Sequence, residues 1–284
     1  MQRFDGRVAV ITGGASGIGL GLARRFGAEG MRIVLGDVEK PALDAALETL
    51  RAEGIQATGM ACDVADADQV DALAAHALDT FGGVNVLCNN AGVGGGGLSW
   101  EATRSTWEWV LGVNLWGVIN GVRSFVPLLL QQDEAHVVNT ASVAGLVAAP
   151  MMGPYNASKH AVVAISETLH HEFAITGATA KVSVLCPGWV RTNIATSERN
   201  RPAHLSGDLT ASDAEQAELG RQVLAGMIQN GMPPAEVAER VFNAVRAERF
   251  WILTHEDDDM WMRAVNARLD STANRTNPEI NLLG

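Results

Sequence analysis

Short apolar runs alternate with longer stretches of helical period along this chain. The first run, Val8-Ala9-Val10-Ile11, holds no polar residue, which marks a strand buried on both faces. A helix is expected over 18–29, a strand over 32–35, and a helix over 41–53 that opens on Pro41, a position where proline is tolerated. Residues 58–62, 84–88, 137–140, 181–186 and 250–253 read as further strands, and 66–81, 105–130 and 155–173 as helices. Parallel neighbours need a crossover, so apolar strands separated by helices imply a parallel sheet covered on both sides. The expected fold is α/β, a doubly wound seven-stranded parallel sheet in one domain over 1–284, with ligands at the carboxyl ends of the strands. One polar stretch, 191–230, is too long for an ordinary connection and is expected to be a flap over the substrate with its own helices, a plain surface insertion being the competing reading.

Composition narrows the partners. A net charge of −11 repels phosphate backbones, so no nucleic acid is expected. No apolar run approaches the roughly 20 residues of a membrane-spanning helix, so no membrane is expected either. Residues 1–7 hold no apolar core and no small-residue cleavage site, and a cytoplasmic protein without a signal peptide is expected. Cys62, Cys88 and Cys186 are odd in number and lack metal-ligand spacing, so they read as free thiols, and no metal site is expected. His170-His171 point in different directions from a helix and are assigned to its surface or a subunit contact. Trp100, Trp107, Trp109 and Trp116 read as core or interface packing, and Gly94-Gly95-Gly96-Gly97 as a flexible segment.

Thr12-Gly13-Gly14-Ala15-Ser16-Gly17-Ile18-Gly19 joins the first strand to the first helix. Glycines let the backbone take positive φ and approach a pyrophosphate, which helix-start N–H groups can hold. The spacing departs from the Gly-x-Gly-x-x-Gly fingerprint, so the turn points to a dinucleotide mainly through its place between strand and helix. Asp37 ends the second strand, where a carboxylate can accept from an adenosine ribose and repel a 2′-phosphate. An Asp that caps the next helix is the competing reading. No Arg or Lys stands in the glycine turn or immediately after Asp37, which makes NAD the expected cofactor.

Four further segments follow in order: Asn89-Asn90-Ala91-Gly92, Asn114, Ser142, and Tyr155-Asn156-Ala157-Ser158-Lys159. With the glycine turn they make the chain resemble the short-chain dehydrogenase/reductase family, single-domain NAD-dependent type, from about residue 7 to 253. The resemblance implies a Rossmann fold, a homotetramer, and interconversion of a small-molecule secondary alcohol and a ketone. It implies cofactor contacts from Gly13, Ser16, Gly17, Ile18, Gly19, Asp37, Val38, Asp63, Val64, Asn90, Ala91, Gly92, Tyr155, Lys159, Pro187, Gly188, Val190 and Thr192. The catalytic set it implies is Asn114, Ser142, Tyr155 and Lys159, with Asn114 supporting a water that relays protons from Lys159.

Elementary chemistry supports the pair at the centre. Tyr155 and Lys159 stand four apart on a helix and share a face. A free phenol titrates near 10, and bringing it to about 7 takes roughly 4 kcal/mol. A lysine ammonium at about 4 Å supplies that much at an effective dielectric of 20. Ser142 follows the fifth strand, where its hydroxyl can hold a substrate oxygen; a Ser in a turn and an Asn on a helix surface are the plain alternatives for Ser142 and Asn114. Leu146, Val147, Met151, Met152 and Trp189 flank the site along the chain, so an apolar or ring-shaped substrate is expected. Two other functions compete. A non-catalytic NAD-binding sensor has no need of the Tyr–Lys pair, and a sugar-nucleotide epimerase or dehydratase needs a larger C-terminal domain than this chain has room for.

Overall fold

Seven strands pair side by side in parallel in the computed structural model of the chain, which describes residues 1–206, 226–255 and 259–278. They are β1 (Val8–Thr12), β2 (Arg32–Asp37), β3 (Ala57–Ala61), β4 (Val86–Asn89), β5 (His136–Thr140), β6 (Lys181–Cys186) and β7 (Trp251–Leu253). The order across the sheet is β3-β2-β1-β4-β5-β6-β7. Helices α1 (Gly17–Ala28), α2 (Lys40–Ala52), α3 (Ala67–Phe81), α4 (Arg104–Leu111), α5 (Gly117–Leu129), α6 (Gly153–Thr176), α7 (Pro234–Arg246) and α8 (Asp259–Asn274) complete the described elements. The seven strands stand within three residues of their sequence-based bounds.

Alternation along each strand sends neighbouring side chains into different cores. Ala9 and Ile11 of β1, Ile33 and Leu35 of β2 and Val86 of β4 meet Leu22 and Phe26 of α1, Leu43 and Leu47 of α2, and Phe242 of α7. Val8, Val10, Val34 and Leu87 face the other way, onto Leu73 of α3, Phe125 of α5 and Phe173 of α6. Burial on both faces is why these strands show no polar alternation in sequence.

Two features differ from the sequence-based reading. The long helix expected over 105–130 is interrupted at Gly112–Trp116 by a π-helical turn, in which the Gly117 N–H reaches back five residues to the Gly112 carbonyl. Helix α8 was not expected at all: of its described residues only Ala264 is buried, and Met262 and Leu269 are exposed, so no wide apolar stripe announces it. The expected flap over 191–230 is described at its two ends, 191–206, which holds 3₁₀ turns over Ile194–Asn200 and Ala203–Leu205, and 226–230; its middle, 207–225, lies outside the described residues.

The sheet order places β1 between β2 and β4, so the chain winds outward in opposite directions from that point. The carboxyl ends of β1 and β4 diverge there and leave a crevice. No helix among the described residues is long and apolar enough to cross a membrane.

Candidate active site

The crevice is a cleft of about 270 Å³. Its floor is the turn from β1 into α1, where Gly13 and Gly17 take φ of 61° and 53°, a region that favours glycine. A Cβ on Gly19 would fall 2.1 Å from the Gly13 carbonyl oxygen, so the first turn of α1 can fold back on the loop only as glycine. Thr12, at the end of β1, ties the turn to the next strand. Its Oγ1 accepts from the N–H groups of Asn90 at 3.0 Å and Ala91 at 3.1 Å, and the Asn90 side chain donates to the Thr12 carbonyl at 3.0 Å. The start of α1 carries no acidic residue in its first turn, and Ser16 at its N-cap makes no side-chain capping bond. A helix start with uncapped N–H groups beside a glycine cradle fits a phosphate group.

Asp37 closes one end of the cleft. Its Oδ2 accepts from Ala15 N–H at 2.9 Å and its Oδ1 from Glu39 N–H at 3.0 Å. Burial nonetheless pushes its carboxyl above the usual range, with those two backbone bonds pulling it down. Val38 stands exposed beside it, and Asp63 and Val64 after β3 complete this end of the lining. Above it, the Glu39 carboxylate accepts from the Arg199 Nη2 at 2.5 Å and the Asn200 amide at 2.8 Å, which holds its carboxyl below the usual range.

Tyr155 and Lys159 rise from the first turns of α6 into the other end of the same cleft. The Lys159 Nζ donates to the Thr140 carbonyl at 2.9 Å and lies 5.6 Å from the centre of the Tyr155 ring. Burial depresses the ammonium to about 8, against a small opposing pull from Cys186. Burial also pushes the Tyr155 phenol up, and a hydrogen bond with Ser142 pulls it back. The chain's own groups therefore hold this phenol high, although a nearby lysine in sequence suggested a lowered value. Ser142 is buried at the N-cap of a 3₁₀ turn, Val143–Gly145, where its Oγ accepts from Ala144 N–H at 3.1 Å.

Asn114 sits in the π-helical turn, wholly buried. Its Oδ1 accepts from Val93 N–H at 2.8 Å, and its Nδ2 donates to the Val93 carbonyl at 3.0 Å and to Ser158 Oγ at 3.3 Å. Ser158 Oγ in turn donates to the Tyr155 carbonyl at 2.7 Å. With both amide hydrogens committed, the Asn114 side chain braces the loop after β4 against α6.

The cleft thus brings together Gly13, Ser16, Gly17, Ile18, Asp37, Val38, Asp63, Val64, Asn90, Ala91, Gly92, Tyr155, Lys159, Pro187 and Thr192. Five residues singled out in sequence stand outside its lining: the buried Asn114 and Ser142, held as described above, and three more. Gly19 lies beneath the turn, Val190 is buried against Met232 in the core on the α1 side, and Gly188 faces His255 and Trp261, which a Cβ there would meet at 2.8 and 3.1 Å. The expected substrate lining also needs correction. Leu146 and Val147 face a separate small cavity with Cys186, Trp261 and Val265, Met151 is half exposed, and Trp189 packs on Trp261 at 6.3 Å between ring centres. Adjacency to Tyr155 along the chain misled here because α8, unseen in sequence, covers that side. Trp109 is buried and lines the cleft, whereas Trp100 and Trp116 are exposed. Gly94 and Gly97 of the tetraglycine are tied to Ser197 Oγ at 2.9 Å and the Met151 carbonyl at 2.7 Å. Sequence reasoning missed Thr12, Glu39, Ser158, Ser197 and Arg199. Only Thr12, which heads the glycine turn, and Ser158, inside the Tyr–Lys segment, carried a local signal.

Comparison with known proteins matches residues 7–203 to the short chain dehydrogenase family model. A crystal structure of a short chain dehydrogenase/reductase from Burkholderia phymatum in complex with NAD superposes with a TM-score of 0.94, at 44% identity over 99% of both chains. The CLA biosynthesis dehydrogenase/reductase of Lactiplantibacillus plantarum is 33% identical over 90% of this chain and 91% of its own. The 1-deoxy-11-beta-hydroxypentalenate dehydrogenase of Streptomyces arenae is 36% identical over 90% of this chain and 88% of its own.

Proposed function

The chain belongs to the short-chain dehydrogenase/reductase family and is an oxidoreductase acting on CH–OH groups, and we propose that it interconverts a secondary alcohol and a ketone with NAD. One observation carries the reading: Tyr155 and Lys159 line the same cleft as the glycine turn and the uncapped start of α1. Ser16, Gly17 and Ile18 would hold the pyrophosphate, Asp37 the adenosine ribose and Lys159 the nicotinamide ribose. The bound nicotinamide supplies the hydride acceptor for oxidation and the hydride donor for reduction.

The chain's own residues handle the proton. In oxidation the Tyr155 phenolate takes the proton from the alcohol oxygen as the C–H bond gives up its hydride; in reduction the phenol returns that proton to the forming alkoxide. Ser142 Oγ, already bonded to the phenol, holds the substrate oxygen with a neutral donor. Lys159 remains mostly cationic at pH 7 with its pKa near 8, so its charge favours the phenolate. Asn114 acts through Val93 and Ser158 to position α6, and its turn would support a water that relays protons from Lys159. Val93, Ile194 and Pro187 in the cleft wall favour an apolar substrate. Family membership supports a homotetramer built around one domain, which sedimentation at micromolar concentration tests.

The reading is tested by screening purified protein for NAD reduction across classes of secondary alcohol. Tyr155→Phe is expected to abolish turnover and spare NAD binding. Turnover that survives in Tyr155→Phe overturns the mechanism.

A further inference from the structure

Glu39 and Arg199 are 160 residues apart in the chain, yet their side chains meet at the Asp37 end of the cleft. Three charged groups are linked there. The Asp37 carboxylate holds the Glu39 backbone N–H at 3.0 Å, and the Glu39 carboxylate receives Arg199 Nη2 at 2.5 Å and Nε at 3.3 Å. The remaining terminal nitrogen of Arg199 is committed to its own segment: Nη1 donates to the Thr196 carbonyl at 2.8 Å and its Oγ1 at 3.0 Å, and to the Asn193 carbonyl at 3.3 Å.

That segment bonds Glu39 a second time, through the Asn200 amide at 2.8 Å, and is also tied down at points away from Glu39. Ser197 Oγ accepts from Gly94 N–H at 2.9 Å, and the Arg201 guanidinium lies 4.5 Å from the centre of the Trp109 ring while donating to Thr106 Oγ1. The Arg199 guanidinium is therefore held over the cleft from two sides. Glu39 occupies the two donors, Nη2 and Nε, that would otherwise face the ligand. Those two donors have the fork geometry that binds a phosphate through two bonds at once.

We infer that Glu39 is a second determinant of NAD over NADP, acting by occupying Arg199 so that the cation at this end of the cleft is unavailable to a 2′-phosphate. The inference rests on the reading of Asp37 as the residue at the adenosine ribose, and it adds a part that Asp37 cannot play. Asp37 repels the extra phosphate, whereas Glu39 both repels it and withholds the cation that would receive it. Taking the charge from Glu39 turns a silent arginine into a phosphate site without adding any residue.

Calorimetric titration of NAD and NADP into the wild type, Glu39→Gln, Arg199→Met and the double variant tests this, with thermal melts to verify folding and Glu39→Ala as a second route. The wild type is expected to prefer NAD. Glu39→Gln and Glu39→Ala are expected to tighten NADP about tenfold or more, the scale of one charge-assisted pair. The gain should vanish in the Glu39→Gln/Arg199→Met double variant. A wild type that prefers NAD but shows no NADP gain in either Glu39 variant overturns the role of Glu39 and leaves the Asp37 reading intact. A gain that survives loss of Arg199 overturns the sequestration. Equal wild-type affinities for the two nucleotides overturn the Asp37 reading and this inference together.

Discussion

Lys159 donates its ammonium to the main-chain carbonyl of Thr140 at 2.9 Å, with the side chain almost wholly buried. This bond fixes the cation in the cleft but replaces only part of its lost hydration, and its pKa falls from 10.5 to about 8.

The folded protein thus disfavours the charged form that the unfolded chain keeps up to 10.5. Below pH 8 both states are protonated and the burial cost, about 3 kcal/mol by linkage, is fully present. As pH rises from 8 towards 10.5 the folded state releases its proton first and the cost disappears. Lys159→Met is expected to lose turnover by orders of magnitude yet unfold at higher urea than the wild type at pH 7. The net gain should be about 1–2 kcal/mol after the unpaired Thr140 carbonyl is counted, and it should shrink at pH 10. A variant less stable than the wild type at pH 7 would show that the Thr140 bond outweighs the desolvation.

A second buried base governs the acid limb. His136 in β5 has its Nε2 2.7 Å from Ser183 Oγ, and that hydroxyl donates to the Arg249 carbonyl at 2.6 Å. Ser183 is therefore the acceptor towards His136, which assigns the proton to Nε2 and leaves Nδ1 bare, with no partner. Burial depresses this imidazole from 6.5 to about 3. As pH falls from 6.5 towards 3 the unfolded chain takes up a proton that the folded one refuses, and stability is lost, on the order of 3 kcal/mol by pH 4. His136→Leu should flatten this limb: its urea midpoint should drop less between pH 7 and 4 than that of the wild type. Parallel drops in the two proteins would remove His136 as the cause.

The positions of the strands along the chain and the Tyr155–Lys159 pair were legible because each is written locally. Val8-Ala9-Val10-Ile11 can only be a two-sided strand, and a spacing of four puts Tyr155 and Lys159 on one face of any helix. What was illegible depends on chain segments meeting from afar. Nothing local singles out Glu39, which precedes α2, or Arg199, one charge in a polar stretch; only their bond across the cleft joins them. The absence of a basic residue immediately after Asp37 in sequence is likewise no guide, since Arg199 arrives there through the fold. Leu146 and Val147 were placed in the wrong cavity because their neighbour α8, whose Arg268 Nη1 donates to the Leu146 carbonyl at 2.5 Å, has too few buried positions to show as a pattern.

Thr12 offers a test of that long-range stitching. One hydroxyl oxygen serves two N–H groups, Asn90 and Ala91, and so sets the separation of β1 and β4 at the crevice. Thr12→Val keeps the shape and removes the acceptor, leaving two enclosed donors without a partner at about 1–3 kcal/mol each. The expected result is a loss of about 2–4 kcal/mol in urea unfolding together with weakened NAD binding, and Thr12→Ser should restore both. Full stability in Thr12→Val would mean that water replaces the hydroxyl.

The single tyrosine of the chain allows its chemistry to be read directly. Near-ultraviolet tyrosinate absorbance reports Tyr155 alone, once tryptophan changes are subtracted with a Tyr155→Phe control. In the free protein burial outweighs the Ser142 hydrogen bond, so the phenol is expected to titrate above its ordinary 10.0. Ser142→Ala should raise it further, because that bond pulls it down. Addition of NAD brings a cationic ring beside Lys159, and two positive charges favour the phenolate. The titration should then move down, and by less in Lys159→Met. The pH–rate profile for alcohol oxidation should rise with the same apparent pKa as the absorbance of the NAD complex, since one proton controls both. A phenol that still titrates above 10 with NAD bound, in an enzyme already fast at neutral pH, would assign the base role to some group other than Tyr155.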